Sequence, residues 1–215
     1  MLRPIVSNEI FTILLVISFI TVAIAKLTAP KRFDDFILIL GNNKYLKIYS
    51  REQKFFDKFD ALLFFNLIIS VSVFFLIIYK LILDVPNFSI QTILKLATSL
   101  SIFTLIKVLM ERLIGSLLEV DKLIDKYIFQ KISFKNYLGL ILLPINAVLV
   151  YSFTPTLTII YVIISLVLII NTIGLISSFK THQSLIKNHL FYFILYLCAL
   201  EIAPYIILYK VFISK

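Results

Sequence analysis

Long apolar stretches limit the fold of this chain more than any other feature of its sequence. A helix needs roughly 20 predominantly apolar residues to cross the hydrocarbon core of a bilayer, and several runs approach or exceed that length. Hydrophobic residues make up 60% of the 215 positions, whereas ordinary soluble domains have about 45–50%. We therefore predict an all-α fold, a polytopic transmembrane helix bundle that forms one integral membrane domain over residues 1–215.

Six spans are predicted from the apolar runs and their charged or turn-forming borders. They cover residues 10–25, 61–83, 90–114, 137–153, 157–179 and 189–211. Lys95 and Lys107 interrupt the third span. Pro155 separates the fourth span from the fifth, at a position where a helix can begin without losing a needed amide hydrogen bond.

The first span has a second interpretation, as a signal peptide. Ala23-Ile24-Ala25 is typical of a signal-peptidase site after an apolar stretch. However, Glu9 borders the apolar run, and Arg3 is the one basic residue ahead of it. Cleavage would also leave the following basic segment outside the cytoplasm. We expect the span to be retained.

The distribution of basic residues predicts the orientation of the bundle. Fifteen Lys and Arg residues flank the spans on one side, and four flank them on the other. Since basic residues favour the cytoplasmic side, we expect a multi-pass protein of the cell inner membrane with both termini in the periplasm. The formal charge of +9 then indicates contact with the anionic lipid bilayer and not with nucleic acid.

Two predicted cytoplasmic segments carry most of this charge, and both are expected to bind protein partners. In segment 31–60, Phe33, Phe36, Ile37 and Leu40 recur at helical spacing, as in a helix lying in the headgroup plane. A β-hairpin turning at residues 41–43 is the alternative, and we favour the helix.

Segment 111–135 has charged residues three to five apart among apolar ones. This pattern predicts that the third helix continues out of the membrane as one long helix. Such a helix could bind a protein partner. Alternatively, its charged side chains could contact solvent and bind no partner.

Glu201 is the one acidic residue predicted to lie at mid-membrane depth. A carboxylate there costs about 2.5 kcal/mol on insertion scales, so it must be protonated, paired or hydrated. Lys107 or Lys95 can supply the counter-charge, and Lys107 can also pair with Glu111 on its own helix. Glu201 could exchange protons or bind a cation, or it could fix the helices that neighbour it. Pro204 frees a carbonyl beside it and slightly favours the functional role.

Three asparagines, Asn66, Asn146 and Asn171, also lie within predicted spans. Hydrogen bonds between transmembrane helices contribute about 1 kcal/mol, and such residues stabilise packing more often than they bind ligands. Pro144 beside Asn146 indicates a local opening in the fourth span. The candidate intramembrane polar site comprises Glu201, Lys107, Lys95, Glu111 and Asn146.

Motifs of the common catalytic and cofactor sites are absent from the sequence. There is no Walker A loop, no HExxH pair and no Gly-flanked Ser nucleophile. His182 and His189 do not have the spacing of zinc ligands, and the single Cys198 excludes an intrachain disulfide. We therefore expect no enzymatic activity, no cofactor and no metal.

Three functions remain open for such a protein. We favour a non-enzymatic scaffold or subunit of an envelope complex, because the cytoplasmic segments carry dense, varied charge without a catalytic constellation. The first alternative is a small ion- or proton-coupled transporter or channel that uses Glu201. The second is a membrane-embedded enzyme acting on lipid substrates.

Three short stretches carry a resemblance to a known family: Ala29 to Phe36 (APKRFDDF), Gly41 to Tyr45 (GNNKY), and Ala61 to Asn66 (ALLFFN) before a Ser-Val-Ser span. The chain resembles a family of polytopic inner-membrane proteins of the Bacteroidota that is known only as a domain of unknown function. The resemblance implies a membrane location and a similar number of spans. It implies no catalytic residues.

Overall fold

A computed structural model describes residues 9–42, 44–50, 57–83, 90–117, 121–152 and 155–181. Within these ranges every regular element is an α-helix, which confirms the predicted fold class. The helices are α1 (Glu9–Thr28), α2 (Pro30–Ile37), α3 (Lys44–Tyr49), α4 (Lys58–Leu83), α5 (Ile90–Leu117), α6 (Asp121–Tyr151) and α7 (Leu157–Thr181).

Five of these helices, α1, α4, α5, α6 and α7, are long and apolar enough to cross a bilayer. They identify a membrane-embedded protein and overlap the first five predicted spans. Helix α6 begins well before residue 137, where the fourth span was expected to start. The predicted sixth span, 189–211, lies outside the described residues.

Helix α4 lies at the centre of the bundle, between α1 and α6. The Oγ of Ser18 in α1 donates to the Oδ1 of Asn66 in α4 at 2.5 Å. On its other side, the Nδ2 of Asn146 in α6 donates to the carbonyl of Ser70 at 2.8 Å. Helices α5 and α7 pack against α6, so α6 connects the inner helices to the outer ones.

Gly139 permits the close contact between α4 and α6. A Cβ at this position would lie 2.6 Å from the Cα of Leu67, well inside van der Waals contact. Because the clash is with backbone, a side-chain rotation cannot relieve it. Small residues commonly allow membrane helices to approach each other in this way.

The prediction of one long helix through segment 111–135 is wrong. Helix α5 ends at Leu117, and α6 begins at Asp121 and packs against α5. A Cβ at Gly115 would lie 2.9 Å from the Cβ of Ile124, so the last part of α5 packs closely against the first part of α6. Charged side chains pair across this hairpin, which gives them partners that a single projecting helix would not offer.

The described part of segment 31–60 forms α2, a turn at residues 38–41, α3 and the start of α4, so the alternative β-hairpin is wrong. The expected apolar face is divided, however. Phe33 and Phe36 are buried against the bundle, whereas Ile37 and Leu40 are exposed. The two aromatic rings pack on α1, α4 and α6, because aromatic side chains bury the largest areas.

Candidate functional site

Arg32 is the centre of a charged cluster where α2 meets the start of α4. Its guanidinium forms ion pairs with Asp57 and Asp60, and Nη2 donates to the Oδ2 of Asp60 at 2.8 Å. The Arg32 side chain is only 14% exposed. The hydroxyl of Tyr45 in α3 donates to the other oxygen of Asp60 at 3.4 Å. We call Arg32, Tyr45, Asp57 and Asp60 the Arg32 cluster.

The two carboxylates of the cluster are positioned by the beginning of α4. The Oδ1 of Asp57 accepts the backbone N–H of Phe59 at 3.1 Å, which is the interaction of an N-cap residue. Asp60 lies in the first turn, where a negative charge also stabilises the helix dipole. The same residues therefore begin α4 and bind Arg32.

Aromatic rings surround the guanidinium. The Cζ of Arg32 lies 4.7 Å from the ring centroid of Phe59, 5.0 Å from that of Tyr49 and 5.9 Å from that of Tyr45. A planar guanidinium can stack on such rings while it also binds carboxylates. A lysine could not make both sets of contacts.

Electrostatic interactions keep Arg32 charged despite its burial. Burial alone lowers its pKa, but the carboxylates of Asp60 and Asp57 outweigh that effect and raise the pKa above its ordinary value. Burial, and then the charge of Asp60, raises the pKa of the Tyr45 phenol. At neutral pH the cluster therefore contains a permanent cation and a neutral phenol. Such a group can bind α2 and α3 to α4.

An aromatic layer continues from this cluster into α6. The ring of Phe36 lies 5.9 Å from that of Tyr137, centroid to centroid, and the ring of Tyr45 stacks on that of Phe129 at 5.8 Å. Aromatic pairs at these separations add about 0.5–1.5 kcal/mol beyond their buried area. The layer joins segment 31–60 to segment 111–135.

The Arg32 cluster is a site that sequence analysis missed. The sequence places Arg32 only among basic residues that face lipid headgroups, whereas the structure buries it. Two signals in the sequence fit the observed arrangement: an Arg directly before two aromatic residues at helical spacing, and two Asp residues three apart at a helix start. Neither signal predicts that Arg32 pairs with the two Asp residues.

Two of the predicted candidates, Lys107 and Glu111, lie together in α5. Both are buried, and Glu111 is 0% exposed. The Nζ of Lys131 in α6 donates to the Oε1 of Glu111. Lys131 was not among the candidates, because its pairing with Glu111 depends on the hairpin of α5 and α6. The next residue of α5, Arg112, pairs with Asp125 of α6 at 3.0 Å.

Of the other predicted candidates, the two that are described, Lys95 and Asn146, do not join this group. Lys95 is exposed, and Glu201 lies outside the described residues. Asn146 is buried at the carbonyl of Ser70. At a rise of about 1.5 Å per residue, Asn146 lies roughly 22 Å from Lys131 along α6. The described candidates therefore occupy separate places in the bundle.

Replacing Asn146 with Leu should lower the free energy of unfolding by about 0.6–1.7 kcal/mol, the range measured for hydrogen bonds between membrane helices. The amide bonds α6 to α4, and Leu would remove that bond. Reversible unfolding in mixed micelles measures the effect. Asn171→Leu is the control, since among the described residues Asn171 donates only to Val167 of its own helix. Equal losses in both variants would contradict an inter-helix role for Asn146.

Replacing Tyr45 with Phe should make the stability of the protein less sensitive to alkaline pH. Because the folded state raises the pKa of Tyr45, it binds this proton more tightly than the unfolded chain does. That contribution to stability is complete below about pH 10, the ordinary Tyr pKa, and is lost as pH rises further. At neutral pH the variant should lose about 1 kcal/mol with its hydrogen bond to Asp60.

Unfolding of the purified protein between about pH 7 and pH 11 measures this effect. Tyr161→Phe, at an exposed position of α7, is the control and should follow the wild-type curve. Parallel curves for Tyr45→Phe and the wild type would refute the assignment.

Among the described residues, no group of three or more His, Cys, Asp or Glu side chains is placed to hold a metal ion. The charged groups that the structure brings together are bound to each other, across helix boundaries. Their arrangement can hold segments of the chain in place.

No curated protein and no solved structure matches the chain. Residues 11–212 match the family described as "Domain of unknown function (DUF4271)". The match covers nearly the whole sequence, including every helix described above apart from the first two residues of α1. The chain therefore belongs to the DUF4271 family.

Proposed function

We propose that this chain is a non-enzymatic, multi-pass protein of the cell inner membrane that serves as a scaffold or subunit of an envelope complex. The observation that carries the proposal is the Arg32 cluster. Its charges bind one another and fix α2 and α3 on the bundle. The end of the bundle that carries the basic segment 31–60, which we call the basic end, therefore has a defined surface. A defined surface is what a docking partner requires, because little ordering entropy is lost on binding.

We propose that segments 31–60 and 111–135 together provide one docking surface. Phe129 of α6 stacks on Tyr45 of α3, which places segment 111–135 directly beside segment 31–60. Charged side chains at exposed positions of this surface include Lys31, Asp34 and Lys47. Mixed charge at the rim of an interface favours specific partners over general affinity. The positive-inside distribution supports a cytoplasmic position for the surface.

Crosslinking in intact cells, followed by purification of the tagged chain, tests this proposal. The double variant Lys31→Glu, Lys47→Glu should reduce the yield of crosslinked partner by about tenfold, which corresponds to about 1.4 kcal/mol. The matched control is Lys80→Glu, Lys95→Glu, two reversals away from this surface. A chain that remains an uncrosslinked monomer, or equal losses in both variants, would exclude the scaffold function.

A second candidate, ion- or proton-coupled transport, is favoured by Glu111. Its carboxylate is fully buried, and its Oε2 has no hydrogen-bond partner among the described residues. Ionisable groups inside a membrane often mark ion or proton pathways. Glu111→Gln should then abolish pH-dependent flux into proteoliposomes, while Lys95→Gln should preserve it. Unchanged flux in Glu111→Gln and in Glu201→Gln would exclude this function.

A further inference from the structure

Helices α2 and α3 and the turn at residues 38–41 between them, which we call the α2–α3 hairpin, carry apolar side chains that the bundle does not cover. The inner face of this hairpin is occupied: Phe33, Phe36, Ile39, Tyr45 and Leu46 are all at most 5% exposed. Four large aliphatic side chains of the same hairpin remain uncovered. Their exposed fractions are 42% for Ile37, 60% for Leu38, 39% for Leu40 and 41% for Ile48. We call these four residues the outer face.

The connections of the hairpin fix its depth relative to the membrane. Only Ala29 separates the end of α1 from the start of α2. Phe33 and Phe36 belong to the same buried cluster as Ala25 in the last turn of α1 and Phe59 in the first turn of α4. The hairpin is therefore held beside the ends of two membrane-length helices, at the level where those helices meet the lipid headgroups.

Exposed aliphatic side chains also lie on the adjoining helix α1. Along α1, Ile20, Ile24 and Leu27 are exposed by 52%, 44% and 82%, and α2 packs directly against α1. A cluster of exposed aliphatic side chains would be unfavourable in water. At the boundary between headgroups and acyl chains, the same side chains leave water without requiring a protein partner.

The basic side chains near the outer face also favour a position at the lipid headgroups. Lys31 and Lys47 are exposed on the hairpin. Lys26, at the end of α1, lies with its Nζ 6.0 Å from the ring centroid of Phe33. Basic side chains near a membrane surface are each attracted to anionic lipid by about 1 kcal/mol. Apolar side chains beside flanking lysines are typical of helices that lie in an interface.

We propose that the outer face inserts into the lipid leaflet at the basic end of the bundle, between anionic headgroups and acyl chains. The Arg32 cluster and the aromatic layer hold the inner face, and lipid covers the outer one. The hairpin then acts as an interfacial anchor that sets the depth of α1 and α4. This inference does not depend on which function the protein has.

The chain contains no Trp, so a single introduced Trp reports on its own surroundings. Leu38→Trp places the probe on the outer face, and Asp34→Trp is the control at an exposed polar position of the same hairpin. The full-length variants are reconstituted into vesicles of phosphatidylcholine and phosphatidylglycerol. Brominated phosphatidylcholine quenches emission from the leaflet, and iodide quenches it from water.

Bromolipid should quench Leu38→Trp at least about threefold more than Asp34→Trp, and iodide should show the opposite order, since interfacial side chains lie about 5–10 Å into the boundary region. Ile48→Trp repeats the measurement if Leu38→Trp does not fold. Iodide quenching of Leu38→Trp equal to that of the control would overturn the proposal. Protection from both quenchers would also overturn it, because protein and not lipid would then cover the outer face.

Discussion

Replacing Arg32 with Met should lower the free energy of unfolding by about 2–3 kcal/mol. Removing one partner of a buried ion pair typically costs about 3–5 kcal/mol, because the other partner keeps its charge without compensation. Asp57 and Asp60 are 32% and 23% exposed, so water offsets part of that cost. The loss should appear in equilibrium unfolding of the detergent-purified protein, and also as a lower yield of folded protein from membranes.

Two further variants test the reason for this loss. Lys31→Met removes a neighbouring exposed cation and should change stability by less than about 0.5 kcal/mol. Arg32→Lys keeps the charge but loses the bidentate and stacking geometry, so it should fall between the wild type and Arg32→Met. If Arg32→Met is as stable as Lys31→Met, the cluster does not hold the hairpin. Neutralising Asp57 and Asp60 as well should recover part of the loss, because no unpaired charge remains.

Replacing Gly139 with Leu should lower the free energy of unfolding by about 3 kcal/mol, at the upper end of the usual cost of overpacking. The new side chain would enter the space taken by the backbone of Leu67, so α4 and α6 would have to separate. That separation would also strain the hydrogen bond between Asn146 and Ser70. Unfolding in mixed micelles measures the loss.

Gly41→Ala is the matched control, because its Cβ would meet only the carbonyl oxygen of Leu38 at 3.9 Å. It should be neutral within about 0.5 kcal/mol. Gly174→Ala should fall between the two, since its Cβ would meet the movable ring of Phe134 at 2.8 Å. A Gly139→Leu variant as stable as Gly41→Ala would mean that α4 and α6 are not packed as described.

Some features of the site could be predicted from the sequence, and others could not. The burial of Lys107 and Glu111 follows from charges within an apolar helix, which must turn towards protein or water. The partner of Glu111, Lys131, could not be predicted, because the pairing depends on how α5 and α6 pack against each other. The division of the apolar residues of α2 between an inner and an outer face also required the structure. Helical spacing alone places Phe36 and Ile37 on the same apolar face.

The sequence by itself determined the membrane class and the α-helical fold. Both follow from apolar stretches of about 20 residues, because the length and hydrophobicity of each stretch predict a membrane-spanning helix without any tertiary contact. Tertiary structure alone decided which charges pair. Arg32 and Asp60 are far apart in sequence, as are Glu111 and Lys131, so their contact depends on where the helices end and how they pack. Composition specifies which residues leave water, but only packing specifies which ones meet.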